Sequence, residues 1–100
     1  MEITLAPQND NTLEIRLNGR LDTSSAPVFS SKMEELPDGV TTIILELSGL
    51  RYISSAGLRA LLQLKKKLDT VDGDLIVHNA DPQIIEVFTV TGFDQLMTIE

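Results

Sequence analysis

The sequence predicts an α/β fold: a mixed, mostly parallel sheet of four to five strands with interspersed helices. Three observations favour this class. Residues 12–18 alternate polar and apolar side chains, residues 43–45 and 75–77 are short apolar runs, and apolar residues recur at helical spacing in the stretches between. The resulting element order is β β α β α β α β. Strands separated by helices run parallel in one sheet when the crossovers are right-handed.

The strands are expected to differ in how much of each face they bury. Residues 12–18 have a period of two, which is typical of a strand with one face in water, and residues 3–5 are a partner strand at the edge. The continuous apolar runs at residues 43–45 and 75–77 are typical of strands covered on both faces.

The first helix is predicted to open at Ser24 or Ser25. Either serine can act as N-cap, the first turn tolerates Pro27, and Pro37 and Gly39 end the helical pattern.

Two further helices and a last strand complete the prediction. Residues 56–68 form an amphipathic helix, and a third helix opens at Asp81 and Pro82 and closes near Gly92. Residues 96–99 are expected to form the last strand. The second helix carries a leucine stripe that consists of Leu58, Leu61, Leu62, Leu64 and Leu68.

The composition limits the kind of protein. One hundred residues with 42% hydrophobic side chains suffice for a single domain, expected to span residues 1–100. The chain has no cysteine, which excludes a disulfide framework and thiolate chemistry. Fifteen acidic against eight basic residues give a net charge of −7, so neither nucleic acid nor a membrane is expected as a partner. No apolar run reaches the length of about 20 residues that spans a membrane, and residues 1–6 have no signal pattern, so we expect a cytoplasmic location.

The segment at residues 50–59 joins a predicted buried strand to the amphipathic helix and carries the most information. The carboxyl end of such a strand and the start of the next helix form the usual functional edge, because unpaired N–H groups and the helix dipole favour negative charge there. Ser54 and Ser55 present two hydroxyls at this point. Gly57 lacks a Cβ, so another backbone or a bulky group can approach the first helical turn closely.

Two interpretations of this serine pair follow from the spacing. In the first, Ser54 or Ser55 is an N-cap, which accepts a backbone hydrogen bond worth about 1 kcal/mol. In the second, a serine becomes phosphorylated and gains about −1.5 to −2 units of charge at pH 7 where the helix end accommodates it. The spacing alone does not choose between them.

Motifs for catalysis or metal binding are missing from the sequence. There is no HExxH, P-loop or GxGxxG pattern. The single histidine, His78, has no cysteine or second histidine near it, which favours a structural role. The glycine-flanked elbow of serine hydrolases is absent, because Ile53 stands where its first glycine is required. We therefore expect no enzymatic activity, no metal and no cofactor.

Four segments of the chain resemble the STAS domain family, and specifically the bacterial anti-sigma factor antagonists. Residues 52–58, Tyr-Ile-Ser-Ser-Ala-Gly-Leu, resemble the family signature, in which an aromatic residue precedes an Asp-Ser pair and a Gly-Leu pair. Residues 19–22 resemble its Gly-x-Leu-Asp turn, residues 43–50 its central strand, and residues 87–93 its closing helix. The resemblance covers nearly the whole chain and implies the STAS fold.

The resemblance also implies roles for single residues. The family's phosphoacceptor is the serine two positions before the glycine, which corresponds to Ser55, while Ser54 replaces the family's aspartate and is the second candidate. Asp22 matches an acid that lies near the acceptor, although a turn or capping role explains an aspartate in this loop equally well. The residues expected to bind the partner are Asp22, Thr23, Ser54, Ser55, Gly57, Leu58 and Arg59.

The function that this resemblance implies is a regulatory switch. The unmodified antagonist binds an anti-sigma factor that is also a serine kinase, which frees the sigma factor for transcription. The kinase phosphorylates the antagonist and the complex dissociates, until a serine phosphatase restores the antagonist. The alternative is a STAS scaffold subunit bound to the ATPase of a lipid or anion transport system.

Overall fold

The computed structural model, which describes residues 1–100, consists of one five-stranded sheet and three α-helices. The elements follow the predicted order, with a short 3₁₀ turn at Phe93–Gln95 before the last strand. None of the helices is long and apolar enough to cross a bilayer. In chain order the elements are β1 (Glu2–Pro7), β2 (Thr12–Leu21), α1 (Ala26–Glu34), β3 (Thr42–Ile53), α2 (Ser55–Asp69), β4 (Asp74–His78), α3 (Pro82–Thr91) and β5 (Thr98–Ile99).

The strands lie in the sheet in their order along the chain, β1-β2-β3-β4-β5. β1 pairs with β2 in antiparallel fashion, and the other neighbouring strands pair in parallel. This arrangement is a mixed, mostly parallel sheet with interspersed helices. The predicted fold class is therefore confirmed.

The helices cover one face of the sheet and leave the other open. In β3, Ile43 is fully buried beneath the helices, whereas Ile44 on the opposite face is only partly buried. Ile76 of β4, the register partner of Ile44, is also only partly buried. The expectation that residues 43–45 and 75–77 are covered on both faces is therefore wrong. The cause is topological, because right-handed crossovers between sequentially ordered strands place every connecting helix on the same side.

The hydrophobic core lies between the covered face and the helices and contains 21 buried apolar side chains. Most of the leucine stripe predicted for α2 belongs to it. Leu61, Leu64 and Leu68 are buried, and Leu58 is partly buried and packs against the core, whereas Leu62 is partly buried outside it. Full burial of one leucine contributes about 1.5 to 3 kcal/mol, so the three buried leucines stabilise the packing of α2 against the core.

The carboxyl ends of β2 and β3 extend further than predicted, and this extension positions the functional edge. β2 continues to Leu21, which pairs with Ile53 of β3. The ladder has irregularities next to Gly19, whose φ of 111° is rarely adopted by residues with a Cβ. Both strands therefore end side by side, and the loop between β2 and α1 meets the loop between β3 and α2.

The last strand is shorter than predicted. Of the expected residues 96–99, only Thr98–Ile99 pair with β4. The 3₁₀ turn at Phe93–Gln95 follows directly after Gly92, which ends α3 with a positive φ of 82°. Leu96 ends this turn with helical backbone angles, φ −100° and ψ −11°, so the extended conformation of the strand begins only after it.

Candidate functional site

The candidate site lies where the β2–α1 loop meets the start of α2. The backbone N–H of Ser54 donates a hydrogen bond to the carbonyl oxygen of Leu21 at 2.9 Å. This bond holds Asp22 and Thr23, which follow Leu21, beside the Ser54-Ser55 pair. The predicted partner-binding residues thus come together from two separate parts of the chain.

Ser54 is the N-cap of α2. Its backbone is extended, with φ −96° and ψ 175°, and its Oγ accepts a hydrogen bond from the backbone N–H of Gly57 at 3.2 Å. Its carbonyl oxygen accepts a bond from the N–H of Leu58 at 2.9 Å. The capping interpretation of the serine pair therefore applies to Ser54. Serine and aspartate are both preferred N-caps, so the replacement of the family's aspartate by serine keeps this function.

Ser55 is the first residue of α2, and it is exposed to solvent. Its hydroxyl takes part in none of the hydrogen bonds at this corner, because Ser54 supplies the cap. The first turn of α2 contains no acidic residue that would oppose a negative group. The site therefore presents one hydroxyl that is engaged in a hydrogen bond and, next to it, one exposed hydroxyl that is not.

Asp22 organises the β2–α1 loop. Its Oδ1 accepts hydrogen bonds from the Ser24 hydroxyl at 2.8 Å and from the backbone N–H groups of Ser24 and Ser25 at 3.1 Å. Hydrogen bonds from the Ser24 hydroxyl and, with a smaller effect, from the Ser25 backbone hold the pKa of Asp22 below its ordinary value, because they favour the ionised carboxylate. Asp22 therefore stabilises the turn at the start of this loop, which is one of the two roles that the sequence left open for it.

Thr23 and Arg59 are exposed at a shallow groove between α1 and α2. Ala56 and Gln63 line the same groove. Arg59 forms no ion pair, unlike the other arginines of the chain. Leu58 is partly buried and packs against the core, so only part of its side chain is available to a partner.

Gly57 is buried, so the structure explains its missing side chain without a partner, and its contact with a partner stays a prediction. A Cβ placed on it would lie 2.6 Å from the carbonyl oxygen of Leu21 and 2.9 Å from a side-chain carbon of Ile53. The close approach that the missing Cβ permits is made by the chain's own backbone. The sequence indicated a close contact at this glycine, but only the pairing of the loops reveals its partner.

Three side chains at this edge were not among the predicted site residues: Arg20, Arg51 and Tyr52. The guanidinium of Arg20 lies 4.3 Å from the centroid of the Tyr52 ring, and Tyr52 is 41% exposed. Arg51 donates a hydrogen bond to Asp81 Oδ2 at 3.1 Å and so links the end of β3 to the start of α3. The motif contains Tyr52 as its aromatic residue, but the contact with Arg20 depends on the pairing of β2 with β3.

The potential metal ligands of the chain are dispersed. No group of three or more His, Cys, Asp or Glu side chains is arranged to hold a metal ion. His78 lies 2.9 Å from Glu100, measured between Nε2 and Oε1. This contact joins the end of β4 to the residue that follows β5, which gives the histidine a structural partner.

Several curated bacterial proteins are similar in sequence to this chain. BtrV of Bordetella bronchiseptica, named as an anti-sigma factor antagonist, is 35% identical over 85 residues, which cover 84% of this chain and 73% of BtrV. The anti-sigma F factor antagonist of Lysinibacillus sphaericus is 31% identical over 99 residues, which cover 97% of this chain and 85% of that protein.

Solved structures share the fold. The anti-sigma factor antagonist SpoIIAA in its unphosphorylated form has a TM-score of 0.79 at 26% identity, with 99% of this chain and 87% of SpoIIAA covered. The Bacillus cell fate determinant SpoIIAA in the phosphorylated form has a TM-score of 0.78 at 28% identity, with 99% and 91% covered. A sulfate transporter family protein from Wolinella succinogenes, with a TM-score of 0.73 at 15% identity and 92% and 74% covered, is similar in fold alone.

The family match extends over almost the entire chain, since residues 4–100 match the STAS domain. Two of the relatives described above exceed 30% identity over most of this chain. This protein therefore belongs to the STAS domain family.

Proposed function

We propose that this protein is an anti-sigma factor antagonist whose partner binding is switched off by phosphorylation of Ser55. The observation that carries the proposal is the contrast between the two serines. Ser54 is engaged as the cap of α2, whereas Ser55 is exposed with a free hydroxyl. Relatives named as anti-sigma factor antagonists support this function, as do the unphosphorylated and phosphorylated structures of SpoIIAA.

The unphosphorylated protein binds an anti-sigma factor that is a serine kinase and thereby frees the sigma factor. Its contact surface consists of the β2–α1 loop and the first turn of α2, where Thr23, Ser55 and Arg59 are exposed. The Ser54–Leu21 hydrogen bond holds the two segments together before the partner arrives. Such a preorganised surface loses little conformational entropy on binding.

The kinase transfers the γ-phosphoryl group of ATP to Ser55. A bond forms between Oγ and phosphorus, the bond from phosphorus to the leaving ADP oxygen breaks, and the hydroxyl proton passes to a base of the kinase. This chain supplies the acceptor and no catalytic group, so it acts as a regulator and not as an enzyme. A serine phosphatase hydrolyses the ester and restores the hydroxyl. Because the reaction consumes ATP and controls a sigma factor, the site of action is the cytoplasm.

The phosphate acts on the interface rather than on the fold. It adds about −1.5 to −2 units of charge at pH 7 in the middle of the contact surface. The start of α2 tolerates this charge, because the helix dipole is positive there. The closed interface does not tolerate it, since the dianion would have to lose its hydration.

Mass spectrometry after incubation with an anti-sigma factor kinase and ATP tests the proposal. The wild type and Ser54→Ala should each gain one phosphate, and Ser55→Ala should gain none. Calorimetry should then record at least a tenfold loss of kinase affinity in the phosphoprotein, which corresponds to about 1.4 kcal/mol. A phosphate that persists in Ser55→Ala, or unchanged affinity of the phosphoprotein, would contradict the proposal.

The alternative function, a scaffold subunit of a transport ATPase, has weaker support, because the transporter family structure is similar in fold alone. It predicts a different result in the same experiment. The protein would remain unmodified by the kinase and would bind a purified transport ATPase with equal affinity in its wild-type and Ser55→Asp forms.

A further inference from the structure

We propose that Arg59 is the intramolecular partner of the phosphate on Ser55, so that modification also withdraws this guanidinium from the contact surface. The inference rests on the function proposed above and adds a second element to the switch. Phosphorylation would then introduce an anion at the surface and at the same time occupy the neighbouring cation.

The spacing of the two residues on α2 brings them together. Ser55 and Arg59 are separated by four positions and are both exposed. Residues at this spacing are neighbours on a helix surface, with Cβ atoms about 5 to 6 Å apart. The anionic member would precede the cationic one, which is the more favourable orientation for such a pair. The planar guanidinium can then donate two hydrogen bonds to phosphate oxygens.

Arg59 is also the only arginine at this edge without a carboxylate partner. The Nε of Arg20 lies 3.8 Å from Asp22 Oδ2, and Arg51 is hydrogen-bonded to Asp81. Arg59 forms no ion pair, and the first turn of α2 contains no acidic residue that would compete for it. No existing contact therefore has to break before Arg59 binds the phosphate.

Pairing of Arg59 with the phosphate changes which hydrogen-bond donors this surface offers to a partner. Before modification, the guanidinium of Arg59 lies exposed at the groove that Thr23 also lines, where it can bind a carboxylate of the partner. After modification, its hydrogen-bond donors face the phosphate. The other two arginines at this edge, Arg20 and Arg51, already face the carboxylates of Asp22 and Asp81, so neither is free to replace Arg59.

The experiment measures the second ionisation of the phosphate by ³¹P NMR. Phosphoserine is incorporated at position 55 during translation of the full chain, so that no kinase is needed. At an ionic strength of about 0.1 M, Arg59→Gln should raise the pKa of this phosphate by about half a unit relative to the wild-type phosphoprotein. The difference should disappear at about 1 M salt, where charges are screened beyond about 3 Å.

Lys66→Gln is the matched control, because it removes one positive charge from an exposed position of the same helix. Lys66 lies roughly 16 Å further along the helix axis, so the phosphate pKa should stay at the wild-type value. In the wild type, the Nε–H signal of Arg59 should shift downfield when Ser55 carries phosphate. Arg59→Gln should keep the thermal midpoint of the wild type, which excludes a folding defect as the cause.

The possible outcomes separate this inference from the proposed function. Equal phosphate pKa values in the wild type, Arg59→Gln and Lys66→Gln would overturn the inference even if a kinase modifies Ser55 and the complex dissociates. A half-unit difference would support it even if no kinase recognises the protein.

Discussion

The carbonyl oxygen of Leu21 lies where it would be only 2.6 Å from a Cβ on Gly57. The same oxygen accepts the hydrogen bond from the backbone N–H of Ser54 at 2.9 Å. One carbonyl group is therefore the meeting point of the β2–α1 loop and the first turn of α2. The relative position of the two loops, and with it the shape of the site, depends on the absence of a side chain at Gly57.

Gly57→Ala should destabilise the protein, although alanine is the better helix former. In an uncrowded helix this change would stabilise by about 1 kcal/mol. Here the new Cβ meets a backbone carbonyl, which cannot rotate aside as a side chain would, so we expect a net loss of about 1 to 3 kcal/mol in urea unfolding. Ser55→Ala, at an exposed position of the same turn, should stay within about 0.5 kcal/mol of the wild type. A gain in stability for Gly57→Ala would mean that α2 can move away from Leu21.

Ser54→Ala should cost about 1 kcal/mol of unfolding free energy, because the N–H of Gly57 loses its hydrogen-bond acceptor. Ser54→Asp should retain the stability of the wild type, since aspartate is an equally good N-cap. Chemical unfolding of both variants beside Ser55→Ala provides the comparison. If Ser55→Ala lost as much stability as Ser54→Ala, the cap would have been assigned to the wrong serine.

Ser55→Asp should weaken binding to the kinase at least tenfold, which is about 1.4 kcal/mol, while the thermal midpoint stays nearly unchanged. The exposed side chain at the start of a helix tolerates a carboxylate, whereas the interface proposed above would have to remove its hydration. Ser55→Asn is the control, since it adds nearly the same volume without the charge and should bind more tightly than Ser55→Asp. Calorimetric binding together with a thermal scan gives both values. An unfolded Ser55→Asp variant would argue against an exposed acceptor.

Asp22 should make the stability of the protein depend on pH in acid. Its pKa is lower in the folded state than the ordinary value of about 4, so its ionisation stabilises the fold above that pH. This contribution is lost as the pH falls through the folded-state pKa. Asp22→Asn keeps a carbonyl acceptor in the turn but removes the charge, so the wild type should be the more stable protein at pH 7 and the two should converge in acid. The thermal midpoints of the wild type and Asp22→Asn, recorded at several pH values from 7 to 2, measure this difference in stability.

The matched control for the pH experiment is Asp38→Asn, which removes one charge from an exposed residue after α1. The difference in thermal midpoint between Asp38→Asn and the wild type should change much less from pH 7 to pH 2 than the difference between Asp22→Asn and the wild type. Parallel pH profiles of the wild type and Asp22→Asn would contradict a stabilising role for the ionised Asp22 carboxylate.

The fold class could be predicted from the sequence because local patterns record which side chains are buried. The alternation in β2 places Leu13, Ile15 and Leu17 in the core, as a period of two requires. The same reasoning failed for Ile44 and Ile76, whose apolar runs indicated burial on both faces. Whether a second layer covers a strand depends on the side on which each crossover passes, and a short apolar run contains no information about that.

The turn that carries both serines of the candidate site was also predictable, but the structural roles of the two serines were not. Ser54 and Ser55 are chemically identical neighbours, and either could cap a helix. The choice follows from the hydrogen bond between Ser54 and Leu21, which keeps Ser54 extended and makes Ser55 the first helical residue. The contact of Gly57 with Leu21 and that of Arg20 with Tyr52 likewise join residues more than 30 positions apart.

By itself, the sequence determined the order of the elements, the apolar face of each helix and the turn that carries the two hydroxyls. These properties follow from the periodicity and chemistry of residues that are close in the chain. Tertiary structure alone decided which hydroxyl is free, which backbone approaches Gly57 and which face of the sheet stays open. The physical reason is that each of these depends on how β2 is paired with β3 and on which side the helices pass, and such distances are set by folding and not by neighbours in sequence.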